Sequence, residues 1–184
     1  MKTYIATATS LDGFIARENG ALDWTEIPGQ AAEDHGRDII EAATDAYLIG
    51  RGSFETLMDL YGWPYDKPVW VMSRSLTPDD VPRTLRDKVV LTGGSPAEVV
   101  GQMRGAGFTR VNIGGAELCR SFLREGLVNE IVISRLPVLI GSGIPLFGSL
   151  NGDLPLKHLE TRAFASGIVT STYQLALDTD AGRT

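Results

Sequence analysis

The sequence is poor in metal-binding and in basic residues. It contains one cysteine, Cys119, and two histidines among 184 residues. One cysteine excludes an internal disulfide, and two scattered histidines form no ligand cluster for a transition metal, so we expect no metal site. Seventeen lysines and arginines against 23 acidic residues give a formal net charge of −6. This balance argues against a nucleic-acid surface. Any anionic ligand must therefore be bound locally, by individual arginines in glycine-rich turns.

A long hydrophobic run is also missing. Residues 1–10 contain one lysine and only a short apolar stretch, too brief for a signal-peptide core or a membrane span. We therefore expect a cytoplasmic protein that does not bind membranes. The hydrophobic content of 43% and charged content of 22% are close to globular averages. We expect a single domain over residues 1–177, followed by a polar tail at 178–184.

The most informative stretch is a strand, a glycine pair and a helix start. Residues 111–113 have strand character, Gly114 and Gly115 follow, and apolar residues at helical spacing continue to Gly126. Glycines let a ligand approach the backbone, and the first helical turn offers unpaired N–H groups to a phosphate. The alternative is a purely structural turn, because a glycine pair before a helix is common.

Two further strands end in turns of similar chemistry. The strand at 46–49 continues into Gly50, Arg51 and Ser53 at a second helix start, and the strand at 69–72 ends at residues 73–74, a Ser-Arg pair. A hydroxyl and a cation after a strand can recognise phosphate groups. A solvated arginine on a surface loop is the alternative for both turns.

The order of the predicted elements indicates the fold class. Further strands are predicted at 3–10, 88–91, 128–137, 156–164 and 168–177, and helices at 31–43, 95–107 and 116–126. Strands that alternate with helices and then follow one another predict a three-layer α/β/α domain. Its sheet should be mixed and mainly parallel, with a C-terminal antiparallel hairpin. No G-x-G-x-x-G follows the first strand, which disfavours the classical dinucleotide-binding fold.

Four ordered motifs resemble one family. They are S-L-D-G-F-I-A at 10–16, G-R-G-S-F-E at 50–55, S-R at 73–74, and I-G-G-A-E at 113–117 with a P-x-x-x-G-x-G-x-P-L-F loop at 137–147. Together they resemble the reductase domain of riboflavin biosynthesis and its relatives with a dihydrofolate-reductase-like fold. The resemblance spans nearly the whole chain.

The resemblance implies an NADPH-dependent oxidoreductase that transfers hydride to a pyrimidine- or pteridine-type heterocycle. In the riboflavin branch the substrate is 5-amino-6-(5-phosphoribosylamino)uracil, and in the folate branch it is a dihydropterin. The riboflavin enzymes typically carry I-T-S and A-R after a tryptophan in a mobile flap. This chain instead has T-E-I-P-G-Q at 25–30, followed by a predicted acidic helix. This departure puts the phosphoribosyl substrate in doubt. The alternatives are a dihydrofolate or other pterin reductase, and a non-catalytic nucleotide-binding homologue.

The resemblance also assigns roles to residues. It implies cofactor contacts for Ala6, Ile15, Gly50, Arg51, Ser53, Ser73, Arg74, Ile113, Gly114, Gly115, Ala116 and Glu117. Trp24, on a flap at 19–30, and Asp34 would act at the substrate, and Arg74 favours NADPH over NADH. Helix-terminal charge is the alternative for Asp34, and neighbouring acidic residues compete with it.

Assembly is expected to be a homodimer. The relatives and the apolar loop at 136–147 favour this, although apolar loops also cover cores.

Overall fold

A computed structural model describes residues 1–26, 34–60 and 62–176, without the side chains of Arg37 and Leu60. Eight strands form the main sheet in the order β5-β4-β3-β6-β1-β7-β10-β9. Their bounds are β1 Lys2–Thr9, β3 Ala46–Gly50, β4 Val69–Met72, β5 Val89–Thr92, β6 Arg110–Gly114, β7 Glu130–Arg135, β9 Leu156–Ala163 and β10 Val169–Leu175. The pairs from β5 to β7 are parallel, and β10 is antiparallel to β7 and β9. The predicted mixed sheet with its C-terminal hairpin is therefore confirmed.

Four helices cover the two faces of this sheet. They are α1 Arg37–Ala43, α2 Arg51–Leu60, α3 Pro96–Gly105 and α4 Ala116–Arg124. Successive side chains of a strand point to opposite faces, and the core divides accordingly. Ile113 of β6 packs in one cluster with Met103 of α3 and Phe122 of α4. Ile49 of β3 packs in another with Phe54 of α2. The result is the predicted three-layer arrangement.

The strand that follows β3 and the strand that follows β6 are added on opposite sides of this parallel pair. From β3 the chain continues through α2 to β4, and from β6 it continues through α4 to β7, on the far side of β1. Since crossovers between parallel strands are right-handed, the two helices lie on opposite faces. A crevice therefore opens outside the carboxyl ends of β3 and β6, where ligands bind in sheets of this kind.

A small second sheet was not predicted. Its strands, β2 Phe14–Ala16 and β8 Ile144–Pro145, pair in antiparallel fashion. Asp12 fixes the adjoining loop, because its carboxylate accepts hydrogen bonds from the Ser10 hydroxyl at 2.6 Å and the Gly141 N–H at 2.8 Å. The Ser10 hydrogen bond also holds the pKa of Asp12 below its usual value. The Asp-Gly turn thus joins the loop at 137–147 to the amino-terminal segment.

The predicted start of the first helix is wrong. The helix was expected over 31–43, but α1 begins at Arg37. His35 has a φ of 56° and Gly36 a φ of 81°, values that interrupt a right-handed helix. Residues 31–33 lie outside the described part. None of the described helices is long and apolar enough to cross a membrane.

Candidate functional site

A cavity of about 1090 Å³ lies at the carboxyl edge of the central strands, between β1, β6, α1 and α2. It collects residues that are far apart in sequence. Of the predicted site residues, it is lined by Ala6, Ile15, Trp24, Asp34, Ser53, Ile113, Gly114, Gly115 and Ala116. The first strand, the flap, the second glycine turn and the central turn therefore meet around one space.

The two glycine turns touch at Gly115. A Cβ atom built on Gly115 would lie 2.2 Å from Ser53 Oγ and 4.0 Å from the backbone nitrogen of Gly50. Gly115 also has a φ of +89°, which L side chains rarely adopt. Only glycine therefore lets the turn after β6 approach the turn after β3 so closely. A ligand that crosses here meets two backbone turns at once.

The N–H groups in the first turn of α4 have no side-chain cap among the described residues. The N-cap residue of this helix is Gly115, which provides no side-chain hydrogen bond. The contrast is α3, where Ser95 and Glu98 form a capping box and bind each other's backbone N–H groups. In α4 these donors and the partial positive charge of the helix terminus face the glycine turn. This geometry suits an anion such as a pyrophosphate.

Asn112 opens the sheet beside this turn. The register of β1 and β6 ends where Tyr4 pairs with Asn112. Beyond that point the Asn112 side chain accepts a hydrogen bond from the Ala6 N–H, 3.1 Å from Oδ1. The amide replaces a backbone partner, so the strands separate while the N–H stays satisfied. Ala6 and Ala8 line the opening with small side chains. Asn112 was not predicted as a site residue, and its signal in the sequence is a polar residue within a buried strand.

A second cavity of about 510 Å³ lies on the other side of the first turn of α2, and Arg51, Ser73 and Arg74 line it. Arg51 binds Glu55 at 2.7 Å and the Ser75 hydroxyl at 2.7 Å. Ser73 Oγ accepts from the N–H groups of Ser75 and Leu76. Arg74 is exposed and has no hydrogen bond or ion pair within the described residues. Its guanidinium is thus available to a ligand.

Trp24 combines packing with an unsatisfied donor. It lies in a 3₁₀ turn at 23–25, is 6% exposed, and packs with Leu136 and Ile168. Its indole Nε1 has no hydrogen-bond partner in the part of the chain that the structure describes. A buried N–H without a partner costs free energy unless a ligand supplies an acceptor. Residues 27–30 of the predicted flap lie outside the described part.

Asp34 lines the large cavity but also stabilises α1. Its Oδ1 accepts the N–H of Asp38, 3.0 Å away, in the first turn of the helix. The next residue, His35, contacts the hairpin turn between β9 and β10. Its Nε2 lies 2.9 Å from Ser166 Oγ, and its ring meets Phe164 edge-on at 4.9 Å. Asp34 therefore both lines the cavity and accepts a hydrogen bond from the first turn of α1, whose N-cap is Gly36.

Two predicted cofactor residues line neither cavity. Gly50 contributes backbone beside Gly115, as described above. The Glu117 side chain is 86% exposed and binds Arg120 at 2.7 Å. Glu117 therefore contributes to the candidate anion site through its backbone N–H in the first turn of α4, and not through its side chain.

Two tyrosines that line the cavity, Tyr47 and Tyr65, were not predicted as site residues. The rings of Tyr47 and Tyr65 are 4.4 Å apart, and both residues line the cavity. Burial raises the pKa of Tyr65 to about 12, so its hydroxyl stays protonated at neutral pH. Tyr65 comes from a loop between α2 and β4 without periodicity, and only the folded chain places it here.

Cys119 also lines the cavity, yet it is not a nucleophile. Burial raises the pKa of its thiol to about 12, which keeps it protonated and unreactive at neutral pH. Across the described ranges, no group of three or more His, Cys, Asp and Glu side chains is placed to hold a metal ion.

Comparison with known proteins defines the family. Residues 2–170 match the model of the RibD C-terminal domain. The uncharacterized Bacillus subtilis protein YwjB is 33% identical over 172 residues, which cover 91% of this chain and 94% of that protein. A Shewanella sp. PV-4 structure, provisionally assigned to riboflavin biosynthesis, has a TM-score of 0.89 at 33% identity and covers 96% of this chain and 100% of its own.

A dihydrofolate reductase from Enterococcus faecalis, complexed with NADP(H), has a TM-score of 0.65 at 15% identity. The match covers 96% of this chain and 97% of that chain. At that identity the likeness shows the fold alone. The chain thus belongs to the RibD C-terminal domain family and has a dihydrofolate-reductase-like fold.

Proposed function

We propose that this protein is an NADPH-dependent reductase that transfers hydride to a pyrimidine- or pteridine-type heterocycle. The observation that carries the proposal is the contact of the two glycine turns at Gly115 and Ser53, beneath the uncapped first turn of α4. This cradle for a pyrophosphate lies between a large cavity, suited to flat rings, and a smaller one with a free arginine. A dinucleotide needs all three parts.

The described residues fit the parts of NADPH. The pyrophosphate would lie on the backbone of Gly114 and Gly115, beside Gly50 and Ser53. Arg74 would bind the 2′-phosphate in the second cavity, with Ser73 and Arg51 beside it. Nicotinamide would lie in the large cavity against Ala6 and Ile15, where the small side chains of Ala6 and Ala8 leave room for a flat ring. When bound, the cofactor supplies the hydride.

The protein would contribute orientation and hydrogen bonds to the substrate. Trp24 lines the cavity, and its buried Nε1–H has no acceptor within the described residues. Asp34 is our proposed acidic contact, because its exposed carboxylate lines the same cavity and has one oxygen that is not committed to Asp38. A carboxylate there would accept N–H bonds from an aminopyrimidine edge and assist protonation of the reduced atom.

The test is NADPH consumption against a panel of pterins and aminouracils, with NADPH binding titrated in parallel. We expect binding of NADPH and turnover of at least one heterocycle. Turnover of dihydropterins alone would favour the pterin-reductase alternative. Binding without turnover of any panel member would favour the non-catalytic nucleotide-binding alternative, and a protein that does not bind NADPH would contradict the proposal.

A further inference from the structure

The small sheet of β2 and β8 borders the large cavity but lies outside the main sheet. Ile15 of β2 and Ile144 of β8 both line the cavity, and Ile15 is a proposed contact of nicotinamide. Within the described residues, neither strand pairs with a strand of the main sheet. The ladders of the main sheet therefore do not fix the position of this strand pair, and other contacts must do so.

Arg120 of α4 makes such a contact. Its Nη2 donates a hydrogen bond to the Pro145 carbonyl oxygen, and its Nε donates to that of Leu146 over 3.4 Å. Its Nη1 donates to the Glu117 carboxylate at 2.7 Å. The Arg120 side chain is only 14% exposed. A planar guanidinium with three nitrogens engaged is held in one orientation, so it fixes β8 against α4.

The loop after β8 passes close to the same side chain. A Cβ atom built on Gly148 would lie 3.0 Å from Arg120 Cδ and 3.1 Å from its Nε. The φ of Gly148 is not positive, so the close approach of Arg120, and not the backbone conformation, favours glycine there. Leu146, between these contacts, is 1% exposed and packs in one cluster with Leu118 and Phe122 of α4. Arg120 and Leu146 thus attach the loop to the helix.

The helix α4 is thereby connected to both halves of the proposed cofactor site. Its first turn, after Gly115, lies at the proposed pyrophosphate cradle, and its second turn carries Arg120. An α-helix is rigid over so short a distance, so the hydrogen bonds of Arg120 determine how far β2 and β8 lie from the cradle. This separation matters because a misplacement of about 1 Å can slow a positioned reaction roughly hundredfold.

We infer that Arg120 is a positioning residue, which holds the β2–β8 strand pair at the distance from the pyrophosphate cradle that the nicotinamide ring requires. Because nicotinamide belongs to the proposed cofactor, this role rests on the proposed function. Arg120 lines neither cavity, so it acts through Pro145 and Leu146 and not by touching the cofactor. Its loss should weaken the binding of the nicotinamide half of NADPH and spare the adenosine half.

The experiment compares NADPH with 2′-phospho-ADP-ribose, which lacks the nicotinamide ring, by calorimetric titration of the full chain. Arg120→Met keeps the apolar stem and removes the hydrogen-bond donors. It should weaken NADPH binding at least about fivefold and change 2′-phospho-ADP-ribose binding by less than about twofold. Arg120→Lys should restore part of the loss, since an ammonium group can still donate to one carbonyl. Arg124→Met, at an exposed position of the same helix outside both cavities, is the control.

Equal losses for the two compounds in Arg120→Met would make Arg120 a general stabiliser of the fold and overturn the positioning role. Unchanged binding of NADPH would overturn it as well.

A second variant approaches the same contact from the loop. Gly148→Ala should displace the Arg120 side chain by a few tenths of an ångström and weaken NADPH in the same direction, by about twofold or more. Gly152→Ala is the matched control, because a Cβ atom there has no neighbour within 4 Å. This pair keeps the test valid if Arg120→Met does not fold. Equal NADPH affinities of the two glycine variants would contradict the role of Arg120.

Hydrogen exchange measures the attachment without any cofactor. The Leu146 N–H donates to the Gly13 carbonyl oxygen at 3.1 Å and so joins the loop to the amino-terminal turn. Its exchange should be several-fold faster in Arg120→Met, whereas the Val99 N–H, bound to the Ser95 carbonyl in α3, should exchange at its normal rate. Unchanged exchange at Leu146 would show that Arg120 does not hold the loop.

The proposed function and the role of Arg120 fail in different ways. If the unmodified protein binds neither NADPH nor 2′-phospho-ADP-ribose, the proposed cofactor is wrong and the positioning role falls with it. If the unmodified protein binds both compounds and Arg120→Met binds them with the same affinities, the proposed cofactor stands and the positioning role alone is refuted.

Discussion

Arg51 and Arg74 line the same cavity, but their guanidinium groups differ in what they already bind. Arg51 is committed to Glu55 and Ser75. Arg74 has no partner within the described residues, and it follows β4 directly after Ser73. A charge-assisted hydrogen bond is stronger when it does not have to replace an existing one. Arg74 is thus the residue that would discriminate NADPH from NADH.

Replacing Arg74 by alanine should weaken NADPH binding by about 1.5–3 kcal/mol, roughly tenfold or more, and leave NADH binding nearly unchanged. Fluorescence titration of both cofactors measures this. Arg83→Ala serves as the control, because Arg83 is also exposed and lines neither cavity. Parallel losses for the two cofactors, or equal affinities in the unmodified protein, would remove the proposed role of Arg74.

The Asp34→Asn variant distinguishes two roles of Asp34, its hydrogen bond to the first turn of α1 and its proposed contact with the substrate. Asparagine keeps an oxygen that can accept the Asp38 N–H, so thermal stability should change little. The loss of charge should lower turnover at least about tenfold if the carboxylate assists protonation, a contribution typical of general acid–base groups. NADPH affinity should stay the same. Unchanged turnover would show that Asp34 only stabilises the start of α1.

At the scale of elements, the site depends on how closely two strand-to-helix turns approach. Gly115 sits between β6 and α4, and its Cα faces Ser53 in the first turn of α2. Gly107 offers a matched comparison. Its φ is +91°, near the +89° of Gly115, but a Cβ atom there would have no neighbour within 4 Å.

Gly115→Ala and Gly107→Ala should therefore cost similar stability through backbone strain, about 1–2 kcal/mol each. Only Gly115→Ala should also weaken NADPH binding, by about tenfold or more, because the new methyl group displaces Ser53 and narrows the cradle. Urea unfolding and NADPH titration of both variants provide the two readouts. Normal NADPH binding by Gly115→Ala would make the turn purely structural.

Asp45 stabilises the opposite ends of the same strands. Its Oδ2 accepts from the Thr109 hydroxyl at 2.6 Å, the Thr109 N–H at 2.7 Å and the Arg110 N–H at 2.9 Å. These bonds hold the pKa of Asp45 below its usual value, the Thr109 hydroxyl most of all. The stabilisation is present above the unfolded-state pKa, about 3.9, and is lost as the pH falls through the lower pKa of the folded state.

Asp45→Asn should thus lower the free energy of unfolding by about 1–2 kcal/mol at neutral pH. Because protonation removes the same interactions from the parent protein, the difference should shrink as the pH falls below about 4. Urea unfolding at several pH values measures it. Asp87→Asn, at an exposed position without a described side-chain partner, should show no such pH-dependent difference. A constant difference at all pH values would contradict the linkage.

Elements with strong local signals were predictable from the sequence. The alternating strands and the Ser95 capping box of α3 are examples. The β2–β8 sheet was not, because strands of three and two residues have no periodicity. The start of α1 was missed because residues 34–36 carry helix-like polarity, whereas the φ angles of His35 and Gly36 are positive. The roles of Asn112 and Tyr65 depend on distant partners, which a single sequence does not reveal.

For the whole molecule, the apolar loop at 136–147 serves two purposes. Leu136 and Leu146 are buried and pack in the core. Leu139 is 68% exposed and Phe147 43% exposed. The buried half covers the core, and the exposed half leaves apolar surface that a second copy of the chain would cover. We propose the homodimer on this ground.

Analytical ultracentrifugation at micromolar concentration should give a species of twice the 19.8-kDa chain mass. Leu139→Ser should shift it toward the monomer, since the variant removes apolar contact area. Val90→Ser is the control, because Val90 is 43% exposed on β5 at the far edge of the sheet. A single species at the mass of one chain for the unmodified protein would exclude the homodimer.

The most direct test of the central claim is a crystal structure of the protein soaked with NADPH. We expect density for the pyrophosphate on the backbone of Gly114 and Gly115, for the 2′-phosphate beside Arg74, and for nicotinamide in the large cavity against Ala6. Its C4 atom should face the space bordered by Trp24 and Asp34. NADPH bound elsewhere, or with its adenosine in the large cavity, would contradict the proposed cofactor site.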